Sequence, residues 1–505
     1  MNIGLLLEMA GDAAAGRRLL GQGGVEWPGG GDGLDGPALL ARARAGAAWL
    51  RGQAGDKLVF LGLNGPDLPI ALFAAAFAGR PFVPVNYRLA DADLRRIVAR
   101  TAPSLVVADA DMASRIAGID GVEIVARADF AAACAGPAGD VTTDEDQEIA
   151  VLLFTSGTTG EPKAAVLRHA NLSSYVISTV DFLGAEEDET ALVSVPPYHI
   201  AGISAILTGL YGGRRLVYLE AFSPDAWVDL AAAERVSHAM VVPTMLDRIL
   251  DVLEARGERL PALRALSYGG GRMPAAVIER AMRLLPNVDF VNAYGLTETS
   301  STIAVLGPEE HRVAIASDVP AVRRRLGSVG RPLPTLELEV RAPDGSCCPP
   351  GVSGEVHVRG DQVAGEYLHR KMLSDDGWFA TNDAGFLDEE GYLFVEGRLD
   401  DVIVRGGENI SPGEVEDVLR QHPGVADVAV LGLPDDRWGE RVAAVVVPRD
   451  ATPAAEELAA FVRDRLRSTK TPETWEFRAE LPYNDTGKLL RRILRAELAG
   501  QGVAA

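Results

Sequence analysis

Short runs of Val, Ile and Leu recur along the first two-thirds of the chain, and longer stretches rich in Ala, Leu and Arg lie between them. The run Leu58–Leu61 precedes an apolar segment at 68–78, further runs stand at 105–108, 149–154 and 191–195, and 239–242 precedes a helical pattern over 246–254. Continuous apolar runs bounded by helical segments are the mark of buried strands in α/β layers. From about Ser328 the pattern changes to alternating strands and turns, at 337–340 and Gly354–Arg359, which predicts a β-rich subdomain. Beyond Arg398 the chain has strand and helix patterns of its own, with helices predicted over 412–420 and 454–467 and a basic helix over 489–498. The fold class expected is therefore α/β. A large N-terminal domain, 1–399, carries layered α/β sheets and the β-rich subdomain, and a small α+β domain, 400–505, follows. No internal repeat is evident, and the glycine-rich stretch 21–36 reads as a loop.

Composition narrows the function classes. With 505 residues and 47% apolar positions the chain can bury large cores. A net charge of −22 argues against a nucleic-acid or membrane-surface binder, so any anionic ligand must be met by local cations. The three cysteines form no Cys-x-x-Cys and no metal-ligand spacing, and the adjacent Cys347 and Cys348 sit in a Pro/Gly turn. No basic region precedes Leu5, Leu6 and Leu7, and the apolar segment 68–78 is too short to span a bilayer. A cytoplasmic enzyme without an integral membrane segment is expected.

Candidate chemistry begins where the run 149–154 ends. Thr155, Ser156, Gly157, Thr158, Thr159 and Gly160 follow it at once, and Lys163 closes the loop. Hydroxyls and bare backbone N–H groups can surround an anion there. Composition alone serves a surface turn equally well. The spacing is not that of a kinase or GTPase loop, and the residues after Lys163 are strand-like, so the segment points to a different nucleotide chemistry. Further on, Tyr294-Gly-Leu-Thr297-Glu298 offers an aromatic face, a hydroxyl and a hard-cation carboxylate, although alone it is as well explained by a capped turn. Gly269, Gly270 and Gly271 would bring bare backbone against a flat ligand, as a simple turn would. Asp383 can accept two ribose hydroxyls and Arg398 donate as a planar fork, while aspartate also commonly caps turns. Pro196-Pro197-Tyr198-His199 places a histidine that is either a satisfied core residue or a substrate contact.

In this order, and together with Leu399-Asp400-Asp401, Arg405-Gly406-Gly407-Glu408 and Asp485-Thr486-Gly487-Lys488, these segments resemble the signature motifs of the adenylate-forming superfamily. That superfamily holds acyl- and aryl-CoA synthetases, luciferases and non-ribosomal adenylation domains, and the resemblance spans roughly residues 40–495. It implies that Lys488 is the catalytic lysine, bridging the substrate carboxylate and the α-phosphate. Lys163 and the loop before it would clamp the β- and γ-phosphates. Tyr294 would go to adenine, Thr297 to the α-phosphate, Glu298 to Mg²⁺, and Asp383 with Arg398 to the ribose. His199 would flank the acyl carboxylate and Arg88 approach a CoA phosphate. Asp400 would be the hinge of a mobile C-terminal domain, and Gly406 and Gly407 would line a passage for the pantetheine arm. ATP, Mg²⁺ and coenzyme A are the cofactors and co-substrates implied. The chain departs from the family pattern at Arg272, Asn382 and Tyr483.

No aspartate lies between Val193 and Ile206 to pair an ammonium group, which disfavours amino-acid activation. The segments around His199 are apolar or small, so the expected activity is an ATP-dependent, AMP-forming carboxylic acid:CoA ligase of the kind used in fatty acid metabolism. Its acid would be an apolar fatty or aryl/alicyclic monocarboxylate. Alternatives are an acyl-AMP ligase donating to a carrier protein, a non-catalytic nucleotide-binding regulator and a luciferase-like oxidase. Partners are limited to the small-molecule acid, ATP and CoA, with no nucleic acid, and a homodimer is allowed.

Overall fold

A computed structural model describes residues 1–21, 33–139, 147–155, 162–483 and 489–500. Among these residues the Val/Ile/Leu runs are strands, and Leu58–Leu61 and Ser104–Ala108 are buried at every position. They belong to an eight-stranded sheet in the order Arg370–Lys371, Glu366–Tyr367, Lys163–Arg168, Ile149–Thr155, Phe82–Pro84, Leu58–Leu61, Ser104–Ala108, Val122–Ala126. Its middle is parallel, but Lys163–Arg168 returns antiparallel to Ile149–Thr155, and Tyr367 pairs with Ala165 on its other side. A second, nine-stranded sheet runs parallel through Thr190–Val193, His238–Val241, Ala265–Gly269 and Asp289–Leu296 and then turns antiparallel at Ser301–Leu306. The helix Asp67–Ala78 is buried on all sides from Leu68 to Phe77, as an all-apolar helix must be, and joins one core with residues of both sheets such as Phe60 and Tyr218.

The alternating pattern after Ser328 forms a four-stranded antiparallel sheet, Glu337–Arg341, Gly354–Arg359, Phe379–Leu387 and Leu393–Arg398. The last segment builds a five-stranded sheet centred on the long pair Val425–Asp435 and Gly439–Pro448. The helices Pro412–Arg420 and Ala455–Arg463 cover one side of it around Val430 and Val442, and Leu494 of Arg491–Leu498 packs on the other beside Leu431. The architecture is the mixed α/β one expected.

Element ends differ from expectation where local backbone chemistry sets them. The helix predicted over 246–254 runs Pro243–Arg256, because Pro243 suits the first turn and Gly257 closes the last with φ +63°. The helix predicted over 454–467 stops at Arg463, and Leu466 tucks against the small core beyond it. Among the described residues no helix is long and apolar enough to cross a membrane.

Candidate active site

The ends of three sheets converge on one cluster. Strand Asp289–Leu296 shifts register between Tyr294 and Gly295, where a Cβ on Gly295 would stand 1.8 Å from the Ser301 carbonyl oxygen. Only glycine fits so close a backbone approach. The tyrosine beside it donates its hydroxyl to Asp383 Oδ2 at 2.6 Å. Arg398 faces Asp383 across the Phe379–Leu387 and Leu393–Arg398 pair, with Nη1 3.1 Å from Oδ1, and also donates to the Thr381 carbonyl at 2.7 Å. Both oxygens of a buried carboxylate are thus held in place. Burial, followed by the Asp383 charge, pushes the Tyr294 phenol well above its ordinary pKa, so it remains a donor. Burial alone would lower the Arg398 pKa, yet Asp383 and then Glu298 more than offset it.

Immediately after Tyr294, Thr297–Thr299 make one 3₁₀ turn that the Thr299 hydroxyl closes, accepting from the Leu296 N–H at 3.0 Å. Glu298 is buried in this turn. Its carboxylate accepts the Tyr367 hydroxyl, and its backbone carbonyl accepts the Gly365 N–H at 2.8 Å. Lys163 lies beyond, with its ammonium 5.6 Å from the centroid of the Tyr367 ring. Thr155 ties the two ends of the segment 155–163 by donating to the Lys163 carbonyl at 3.3 Å. Ser156, Gly157, Thr158, Thr159, Gly160 and Lys488 lie outside the described residues. Among the described residues no group of three or more His, Cys, Asp or Glu could hold a metal. A metal at Glu298 would therefore take one protein carboxylate and complete its shell with phosphate and water, the arrangement Mg²⁺ favours.

The remaining candidates border this centre to different degrees. A Cβ on Gly269 would meet the Ala293 carbonyl oxygen at 2.2 Å, Gly270 has φ +77°, and Gly271 is exposed, so the segment is bare backbone where it leaves the sheet. His199 precedes the helix Ile200–Tyr211 and packs on Tyr198 at 4.9 Å, and Ser204 of that helix accepts from the Ser301 hydroxyl at 3.2 Å. The helix therefore touches the strand that leaves Glu298. Arg88 lies over the Tyr87 ring. Asp400 accepts from the Asn382 side chain at 3.2 Å, and Asn382 has φ +60°, the left-handed backbone its position before Asp383 requires. Gly406 and Gly407, at φ +57° and +84°, turn the hairpin between Ile403–Arg405 and Glu408–Ile410, where Gly406 packs beside Trp438 of the turn between Val425–Asp435 and Gly439–Pro448 and neither meets the Asp383 cluster. Arg272 is carried from the glycine loop to the helix Pro412–Arg420, where it pairs with Asp417.

Sequence reasoning missed Tyr367 and Thr381. Nothing in Gly365-Glu366-Tyr367 signals chemistry, because the phenol meets Glu298 only through strand pairing with a distant segment.

Comparison with known proteins gives this geometry a family. Residues 31–368 match the model described as AMP-binding enzyme, and residues 414–488 match the AMP-binding enzyme C-terminal domain. The chain belongs to the AMP-binding enzyme family. A feruloyl-CoA synthase from Amycolatopsis is 34% identical over 458 residues, 88% of this chain and 89% of the relative. The fatty acid–[acyl-carrier-protein] ligase ScoC from Streptomyces coeruleorubidus is 33% identical over 465 residues, 88% of this chain and 87% of its own. The o-succinylbenzoate CoA synthetase MenE of Bacillus subtilis, solved with ATP and magnesium ion, superposes with a TM-score of 0.81 at 27% identity, covering 96% of this chain and 98% of that one. This AMP-binding enzyme is thus a ligase of the AMP-forming acyl-CoA synthetase type.

Proposed function

We propose that this enzyme converts an apolar monocarboxylic acid, fatty or aryl/alicyclic, to its CoA thioester through an acyl-adenylate. The observation that carries it is the adjacency of the Tyr294–Asp383–Arg398 grip to the Glu298–Tyr367–Lys163 row. A nucleoside held by its ribose at Asp383 presents its phosphates to Thr297, Glu298 and Lys163. Substrate carboxylate oxygen attacks the α-phosphorus, the bond to the β-phosphate breaks, and pyrophosphate leaves toward Lys163 and the loop 155–160. Mg²⁺ bound through Glu298 would neutralise phosphate charge. Lys488 would bridge the carboxylate and the α-phosphate, stabilising charge that builds up in the transition state. In the second half the CoA sulfur attacks the acyl carbon, AMP leaves and the thiol proton passes to solvent.

One site can serve both halves if the segment 400–505 rotates against 1–399 about Asp400, withdrawing Lys488 and bringing in Gly406 and Gly407. Lack of charge supports an apolar acid, since Ile200–Tyr211 and Ser301–Leu306 contain no charged residue and meet through small hydroxyls. The relative named for feruloyl-CoA supports an aryl acid, and the one named as a carrier-protein ligase favours the second reading, acyl transfer to a carrier protein.

A panel of fatty, aryl and polycyclic acids, assayed for AMP and for thioester with free CoA, separates these. Acyl-AMP that free CoA does not accept would favour the carrier reading, and no pyrophosphate with any acid would exclude ligation. Replacing Lys488 by Ala should slow acyl-AMP formation about a hundredfold or more, yet still allow supplied acyl-AMP and CoA to form thioester. Equal loss in both half-reactions would sink the rotation.

A further inference from the structure

Lys163 and Glu298 carry opposite charges on neighbouring elements, and among the described residues no carboxylate pairs with Lys163. Tyr367 stands between them. Its hydroxyl is spent on Glu298 Oε1, and its ring face takes the Lys163 ammonium. The tyrosine is fixed from several sides. Its strand pairs with the lysine's own strand at Ala165, Leu368 N–H donates to the Ala164 carbonyl at 2.8 Å, and Gly365 N–H holds the Glu298 carbonyl. Beside it Glu366 forms a forked ion pair with Arg168, at 3.0 and 3.1 Å, that ties the other end of the strand down.

We infer that Tyr367 is the positioning residue of the phosphate and metal site: its phenol orients the Glu298 carboxylate, and its ring keeps Lys163 from collapsing onto that carboxylate. The physical reason is competition. A direct Lys163–Glu298 pair would occupy both groups, and nucleotide or metal could bind only after breaking it. An aromatic face attracts the ammonium more weakly than a carboxylate does, so phosphate displaces it readily. A hydrogen bond to one oxygen leaves the other to face a cation, as outer-shell partners commonly arrange for metal ligands. The inference rests on the proposed use of Glu298 and Lys163, and goes beyond it in assigning a residue that neither motif contains.

The test uses the full chain and two variants, Y367F and Y367L, with Mn²⁺ binding followed by electron paramagnetic resonance in the presence of α,β-methylene-ATP. Nucleotide binding without metal is measured separately by calorimetry in EDTA. Tyr367→Phe keeps the ring and loses the hydroxyl, so Mn²⁺ affinity should fall about tenfold or more, while metal-free nucleotide affinity stays within about twofold. Tyr367→Leu removes the ring as well, so both affinities should fall, and E298Q in the Y367L background should restore metal-free nucleotide binding by freeing Lys163. The inference is overturned if Y367F binds Mn²⁺ like the wild type, if Y367F loses metal-free binding as much as metal, or if Y367L leaves metal-free binding intact. A wild type that binds no nucleotide would instead overturn the ligase reading and this role with it.

Discussion

His169 shows how burial of a single group becomes a pH dependence of the whole protein. Its Nδ1 accepts the Ile3 N–H at 3.2 Å, so the ring ties the N-terminal segment to the helix His169–Thr179. Burial, and then the nearby N-terminal ammonium, push its pKa from 6.5 down to about 4. The unfolded chain binds this proton first on acidification, so stability is complete above pH 6.5 and drains as pH falls toward 4. The loss from this residue should reach about 3 kcal/mol. Replacing His169 by Gln should lower stability near neutrality yet flatten the decline between those pH values, measured by denaturant titration across pH. Parallel curves would assign the acid loss to other groups such as His238, which burial also holds at about 4. At this scale the sequence exposes Tyr294, Thr297, Glu298, Asp383 and Arg398, because each sits in a local run whose chemistry is read from neighbours. Tyr367 is invisible there. Its hydroxyl acquires a partner only when Glu366–Tyr367 docks on Lys163–Arg168.

Turns and strand ends decide where those side chains point, and Asn382 is the clearest case. The residue before Asp383 is left-handed at φ +60°, and asparagine supplies that backbone. Its N–H also donates to Glu355 at 3.0 Å, and its amide to Asp400, so one turn links Asp383, the proposed ribose ligand, to the proposed hinge. Replacing Asn382 by Gly keeps the backbone and loses the amide, whereas Ala loses both. N382A should therefore raise the KM for ATP about fivefold or more, and N382G should stay within about twofold. Equal effects in steady-state kinetics would remove backbone conformation as the cause. Element type was legible where the apolar pattern was clear, as a continuous run at Leu58–Leu61 and as helically spaced Val415, Val418 and Leu419 in Pro412–Arg420. Element ends were less so. Pro243 and Gly257 set one helix by backbone preference rather than by hydrophobic period, and Ser301–Leu306 starts at the turn of Ser300 and Ser301, at φ +55° and +112°, that no alternation pattern announces.

Across the whole molecule, the last segment is held to the rest by a few polar contacts. Ser411 donates to the Glu396 carbonyl at 2.8 Å, the Asn382 amide to Asp400 at 3.2 Å, and Arg272 pairs with Asp417. Burial raises the Asp417 pKa, and Arg272, then Arg420, counter it. The guanidinium lies so close over the helix that a Cβ on Gly413 would stand 2.2 Å from Nη1, so the glycine makes room for the arginine. Any rotation about Asp400 must break this pair, which makes it a term in the balance between two arrangements. Removing it in R272A should slow the half-reaction served by the arrangement seen here and leave the other unchanged or faster. Arg272 is 40% exposed, so the effect should be modest, roughly threefold to tenfold. Gly413→Val should displace the arginine without removing its charge and give the same split, and the double variant R272A/G413V should add nothing further. Pyrophosphate release reports one half-reaction, and thioester formed from supplied acyl-AMP reports the other. If both rates change together in R272A, the Arg272–Asp417 pair does not distinguish the two arrangements, and its role is confined to holding the helix Pro412–Arg420 in place.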